Sequence, residues 1–275
     1  MGFFKGLFGS KWKSAAEEKA DPVIAKLTEA IRRDPGDFST YSNRGDAFVA
    51  IGKLDRAIED YSSAIECYRG RLSYLRTGQL GGAASLKDAI LTSPKTALAC
   101  FQRGCVYSRR GQYDRAIADL TELIQATPKC EYHLERALAY LKKEAYDPAI
   151  ADLVEAIRLN PSEPKAQLRR GIAYLAMGDP EAAIADFNRV IEIKPTQGQS
   201  ATDLSPVYID AYANRATAYF MKMEYDRAIA DYSEALGLEP RLAFAYAGRA
   251  RAYRAAGDIE KAVSDEQRVH ELSGE

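Results

Sequence analysis

The sequence predicts an all-α array of short repeats, and three observations carry the prediction. First, one phrase, Tyr-Asp-Arg-Ala-Ile-Ala-Asp-Tyr at Tyr225–Tyr232, recurs at Tyr113–Leu120, at Leu54–Tyr61 and, with a proline, at Tyr146–Leu153. Looser copies stand at Pro180–Phe187 and Ile259–Glu266. The starts lie 59, 33, 34, 45 and 34 residues apart, so three gaps are one period and two are that period plus an insertion. A fixed period of this length marks a repeat array. Second, an arginine followed by glycine or alanine precedes every copy: Arg44, Arg103, Arg136, Arg170, Arg215 and Arg249. An aromatic stands three residues beyond each small residue, at Phe48, Tyr107, Tyr140, Tyr174, Tyr219 and Tyr253. Third, prolines 128, 161, 195 and 240 close four of the repeats.

These columns resemble the tetratricopeptide repeat family over roughly residues 38 to 273. The resemblance implies two antiparallel helices per repeat, glycine or alanine where they cross, and a right-handed superhelical solenoid.

Bulk properties fit one solenoid and narrow its function. A hydrophobic content of 47% with 28% charged residues is globular rather than disordered. A formal charge of −1 offers no general attraction to nucleic acid. Cys67, Cys100, Cys105 and Cys130 form no CxxC pair, which fits a reducing compartment, and a cytoplasmic protein is expected. No stretch of about 18 apolar residues could span a membrane, and the first residues lack the apolar core of a secretory signal.

Taken in order, residues 1–20 lie outside the repeats. Phe3, Phe4, Leu7, Phe8 and Trp12 would share one side of a helix, with Lys5, Lys11 and Lys13 elsewhere. Residues 1–14 therefore read either as an interfacial segment for a membrane or partner, or as a terminus folded back on the first repeat. Glycines 2, 6 and 9 weaken any helix there. Residues 21–37 read as a half repeat, capped by Asp21 with Pro22 at the first helical position, that covers the first full repeat. Repeat 1 takes 38–68. An insertion at 69–94 reads as a prolonged helix, a glycine turn at 78–82 and a short helix from Ala83 to Thr92. Repeats 2, 3 and 4 take 95–128, 129–161 and 162–195. Residues 196–207, polar with glycine and proline, read as a loop. Repeat 5 takes 208–240, and repeat 6 with a C-terminal cap takes 241–275. Repeat 6 carries Glu266 and His270 where its siblings carry apolar residues, the pattern of a terminal repeat with no neighbour to cover.

Two columns have a physical reading of their own. Glycine is unfavourable inside a helix, so its presence at Gly45, Gly104 and Gly171 implies close approach of the paired helix, and Gly171→Leu is expected to unfold its repeat. Sixteen residues after each arginine stands an aspartate: Asp60, Asp119, Asp152, Asp186, Asp231 and Asp265. In a helical hairpin these positions come together, so an Arg–Asp pair within a repeat or to the next is expected. An anion-binding arginine ladder is the alternative.

The family resemblance also implies where a partner sits, since first helices line a concave groove that holds a peptide or helix. The groove positions are Asn43 in repeat 1; Leu98, Phe101, Gln102, Cys105 and Arg109 in repeat 2; Leu134, Glu135, Leu138 and Lys142 in repeat 3. They continue with Lys165, Leu168, Arg169 and Ile172 in repeat 4, Asn214 in repeat 5, and Phe244 and Arg251 in repeat 6. Any of the leucines could instead pack between helices. Chaperone-tail binding is not expected, because Phe101, Cys105 and Glu135 occupy places where that subgroup holds lysine and asparagine. No catalytic, phosphate-binding or metal motif is present, so no cofactor is expected. The chain reads as a non-catalytic scaffold or adaptor for protein partners. A membrane-tethered adaptor and a self-assembling structural solenoid are the alternatives.

Overall fold

The computed structural model describes residues 15–77, 84–193 and 201–274, which hold fourteen helices and no strand. Helix α1 is Ala15–Arg33 and α2 is Phe38–Ala50. Helix α3 (Leu54–Thr77) is followed by the short α4 (Leu86–Thr92) of the insertion. Then come the pairs α5 (Pro94–Arg109) and α6 (Tyr113–Ala126), α7 (Cys130–Lys142) and α8 (Tyr146–Leu159), and α9 (Pro164–Met177) and α10 (Pro180–Glu192). The last pairs are α11 (Ala201–Met221) with α12 (Tyr225–Leu238), and α13 (Ala243–Ala256) with α14 (Ile259–Ser273). The chain forms two compact halves, divided between Ala139 and Tyr140 within α7.

Local chemistry sets most helix ends. Asp37 Oδ1 accepts from the Ser39 N–H at 3.0 Å, and Asp179 and Asp258 cap α10 and α14 in the same manner. Prolines 94, 164 and 180 sit in the first turns of their helices, where an N–H is not missed. Helices α6, α8 and α12 have no side-chain cap but place Asp114, Asp147 and Asp226 in the first turn, against the helix dipole. Gly178 and Gly257 end α9 and α13 in the left-handed conformation.

Three expected boundaries differ. Helix α1 begins at Ala15, and Pro22 lies inside it rather than at its start. The good helix formers Ala15 to Ala20 extend the helix upstream and outweigh the one backbone bond that proline removes. Helix α11 begins at Ala201, within the stretch expected to be a loop, and encloses Pro206. The Tyr208 hydroxyl donates to the carbonyl of Ile193, tying the start of this helix to the end of α10. The short insertion helix starts at Leu86, capped by Ser85, three residues later than expected. The glycine turn at 78–82, the segment 1–14 and residues 196–200 lie outside the described residues.

Small residues let the paired helices meet. A Cβ added at Gly45 would lie 2.8 Å from Tyr61, and one at Gly171 would lie 2.6 Å from Phe187. At Gly104 the nearest atom, Leu120 Cγ, is 3.4 Å away, an ordinary contact. The aromatic and leucine knobs of the second helices are thereby buried: Tyr61, Leu120 and Phe187 are at the centre of their halves.

The arginine column builds a two-way link. In repeats 1, 2, 4, 5 and 6 the guanidinium Nε and Nη2 donate to both oxygens of the matching aspartate at 2.6–2.9 Å. The aspartates are buried, so each charge is held by a fork of two parallel bonds. Hydrogen bonding to the carboxylate raises the pKa of Arg44, Arg170, Arg215 and Arg249. At Arg103 burial works in the opposite direction, and the Asp119 pair outweighs it. The third nitrogen, Nη1, reaches the preceding helical layer. Arg44 donates to Thr28, Arg103 to Ser62, Arg136 to Thr121, Arg215 to Asn188 and Arg249 to Ser233, at 2.5–3.1 Å. Each acceptor stands two residues after an aspartate of the column, except Thr28 of α1. The α1 half repeat thus supplies the first arginine with its acceptor. At this position α8 carries Val154, 43% exposed, which has no oxygen to offer Arg170.

On the last helix Glu266 pairs with Arg254 at 2.6 Å and His270 is exposed, on a stripe that also carries the exposed Ile259 and Val263.

Two predictions follow from these contacts. Gly104→Ala is expected to be neutral or to stabilise by up to ~1 kcal/mol, while Gly171→Ala costs about 1–3 kcal/mol through the clash with Phe187. Urea unfolding midpoints of the two variants moving the same way would contradict the packing argument. Val154→Thr supplies the missing acceptor and should add about 1 kcal/mol, read as a rise of ~2–4 °C in thermal midpoint for a chain of this size. An unchanged midpoint would mean that the Nη1 bond contributes nothing.

Candidate functional site

Where first helices neighbour one another, as α9, α11 and α13 do in the second half and α2 and α5 do in the first, their outward faces form the candidate binding surface. In the first half, Asn43 and Arg109 are exposed, while Phe101, Gln102, Cys105, Glu135 and Leu138 are half-buried. Leu98 is 54% exposed, a large apolar residue facing out of α5. Leu134 is only 7% exposed and belongs to the wall of the fold. Phe101 stacks at a tilt on Tyr132, 5.3 Å between ring centroids, and packs against the core. The Tyr61 hydroxyl reaches the same face and donates to Asp46 Oδ1 at 2.5 Å.

Burial, with the nearby Glu135 charge second, pushes the Cys105 thiol up to about 12. Cys100 is fully buried, and burial raises its thiol further. Reactive cysteines have lowered pKa values and electropositive surroundings. These two have the opposite, and act as small packing residues.

In the second half, Lys142, Lys165 and Ile172 are exposed and Arg169 is half-buried. Leu168 is 7% exposed and sits in the core cluster with Phe187 and Val190, so it supports the surface rather than forming it. Asn214 is half-buried, and its Nδ2 donates back along its own helix to the Asp210 carbonyl at 2.7 Å. Phe244 is 54% exposed, as Leu98 is. Both stand five residues before the arginine of their repeat, so they occupy one column of the surface, which holds Ser39, Glu131, Lys165 and Asp210 in the other repeats.

The sequence reading missed a cleft of about 370 Å³ between α11, α12 and α13. Thr217, Phe220, Met223, Tyr232, Gly248 and Arg251 line it. Its signal in the sequence is Gly248, the residue before the column arginine, where the other repeats carry Asn43, Gln102, Glu135, Arg169 and Asn214. This glycine leaves room for Tyr232, whose oxygen would lie 2.6 Å from any Cβ built there. Among the described residues no cluster of histidine, cysteine and carboxylate could hold a metal, and no helix is long and apolar enough to cross a membrane.

Sequence profiles of the tetratricopeptide repeat match residues 24–71 and 134–198, 97–130 and 209–242, together more than half of the chain. No curated protein is significantly similar to the chain. Among solved structures, a tetratricopeptide repeat protein from Parabacteroides merdae is 21% identical with a TM-score of 0.59, over 94% of this chain and 91% of that one. MamA is 23% identical with a TM-score of 0.56, over 66% of this chain and 94% of its own. YrrB, a repeat protein with an unusual peptide-binding site, is 20% identical with a TM-score of 0.55, over 80% of this chain and 95% of its own. At these identities the likeness is one of fold.

Proposed function

The chain belongs to the tetratricopeptide repeat family, and from that premise we propose that it is a non-catalytic scaffold that holds a peptide or helical segment of a partner protein on the faces of its first helices. The observation that carries this reading is the outward placement of large apolar side chains. Leu98 and Phe244 are each 54% exposed at the same register of their repeats, and Ile172 is exposed on α9. The exposed apolar surface of such side chains stabilises a complex when a partner covers it. Cationic residues share their helices: Arg109 stands about three turns beyond Leu98 on α5, and Lys165 and Arg169 precede Ile172 on α9. An amphipathic or extended segment with apolar anchors and acidic residues matches that surface. YrrB, with its peptide-binding site on the same fold, supports a protein partner. The spacing of the four cysteines favours a reducing, cytoplasmic setting.

A second reading keeps the scaffold and tethers it to a membrane surface through the Phe- and Trp-bearing residues 1–14.

Each reading has a direct check. Leu98→Glu and Phe244→Glu are expected to abolish or weaken by about tenfold or more the recovery of partners that co-purify with the wild type, since burying an unpaired charge opposes binding. Glu234→Lys, on an exposed face of α12, should retain them. Partners kept by both glutamate variants would remove these faces from consideration. Co-sedimentation with anionic liposomes should fall when residues 1–14 are deleted if the tether operates, and equal sedimentation would discard the tether.

A further inference from the structure

We propose that the cleft between α11, α12 and α13 binds the side-chain carboxylate of a glutamate or aspartate in a partner polypeptide, with an apolar neighbour of that residue resting on Phe244. The inference deepens the scaffold reading and rests on it.

The charge comes from Arg251. Its guanidinium carbon lies 5.0 Å above the centroid of the Phe220 ring. Among the described residues no carboxylate pairs with it, whereas Arg254, three residues on, is paired with Glu266, and Arg249 is held by Asp265. An arginine lying on an aromatic face keeps its N–H edge free for a planar, bidentate acceptor. The cation–π contact fixes its position at little entropic cost to the ligand.

Gly248 lets the phenol reach this face. Phe244, Gly248 and Arg251 fall on one face of α13, at positions i, i+4 and i+7. The ring end of Tyr232 takes the space that a side chain at Gly248 would fill, so the face presents an exposed ring, the Tyr232 hydroxyl and a cation in succession.

The remaining donor comes from Tyr232. Its hydroxyl lies 3.0 Å from Thr217 Oγ1, and Thr217 can donate in turn to the Ala213 carbonyl at 3.1 Å. The tyrosine proton can thus turn from Thr217 to a ligand oxygen while Thr217 keeps its bond to Ala213. Burial raises the pKa of the phenol, so it stays a donor at neutral pH.

A carboxylate fits better than a phosphate. Arg251 is the one cation among the residues lining the cleft, and the cation of the adjoining depression, Arg227, is already paired with Glu224 at 2.7 Å. A single negative charge is matched by Arg251; a dianion would leave one charge uncompensated. Met223, 74% exposed at the rim, supplies a flexible apolar lip for the residues around the acid.

The test is a selection of random twelve-residue peptides displayed on phage, run on the full-length protein and on Arg251→Met. Arg251 is exposed, so the variant should melt with the wild type. Wild type should enrich peptides with Glu or Asp next to an aromatic or aliphatic residue, and Arg251→Met should lose the acidic preference. For the best peptide, Glu→Gln and Arg251→Met should each cost about tenfold in affinity, the scale of a charge-assisted hydrogen bond. The two changes together should cost no more than either alone, because they remove one interaction. Peptides that bind with no acidic preference, or losses that simply multiply in the double change, overturn the carboxylate site and leave the scaffold reading standing. Failure to enrich any peptide overturns both.

Discussion

The buried arginine fork is the interaction on which the array depends. One guanidinium binds the second helix of its own repeat through Nε and Nη2 and the layer before it through Nη1. A carboxylate buried at the crossing of two helices is costly unless its partner is fixed. The bidentate geometry fixes it and sets the register of the hairpin at the same time. Neighbouring aromatics support the fork: the Arg44 guanidinium lies 5.9 Å from the rings of both Tyr41 and Phe48, and Arg215 lies similarly between Tyr212 and Tyr219. The aromatics that follow Arg44, Arg103, Arg215 and Arg249, and those that precede Arg44, Arg215 and Arg249, are therefore part of the same device.

Much of this was legible in the sequence because repetition converts weak local signals into columns. One arginine and one aspartate sixteen residues apart mean little; six such pairs at a fixed spacing imply a contact. The glycine column was readable for the same reason. What repetition does not cover was read less well. Pro22 and the 196–207 stretch have no counterpart in the other repeats, so local composition was the only guide, and tertiary and upstream context overrode it. The Nη1 acceptors escaped notice because Thr, Ser, Asn and Val share that column, and only geometry unites three of those types as oxygen donors of a lone pair.

The candidate surface divides along similar lines. Which helix a residue belongs to followed from the repeat, and whether its side chain faces outward did not. Leu98 and Leu134 look equivalent in composition, yet one is exposed and the other buried, because they stand at different positions around their helices relative to the neighbouring layer. Gly248 was hidden for a further reason: a glycine in place of a polar residue reads as a loss in sequence, and its effect lies in what a neighbouring tyrosine does with the space.

The division of labour within each guanidinium has a consequence for how the array comes apart. Two nitrogens hold a hairpin together and one holds it to its neighbour, so internal cohesion and coupling between layers are set by different atoms of the same side chain. Solenoids of this kind unfold as a chain of linked segments whose cooperativity is the strength of each link. A methyl group where an oxygen could stand, as at Val154, loosens one link without weakening the segments on either side. The protein thus carries, in a single column of small side chains, a graded setting of where heat or tension parts it first.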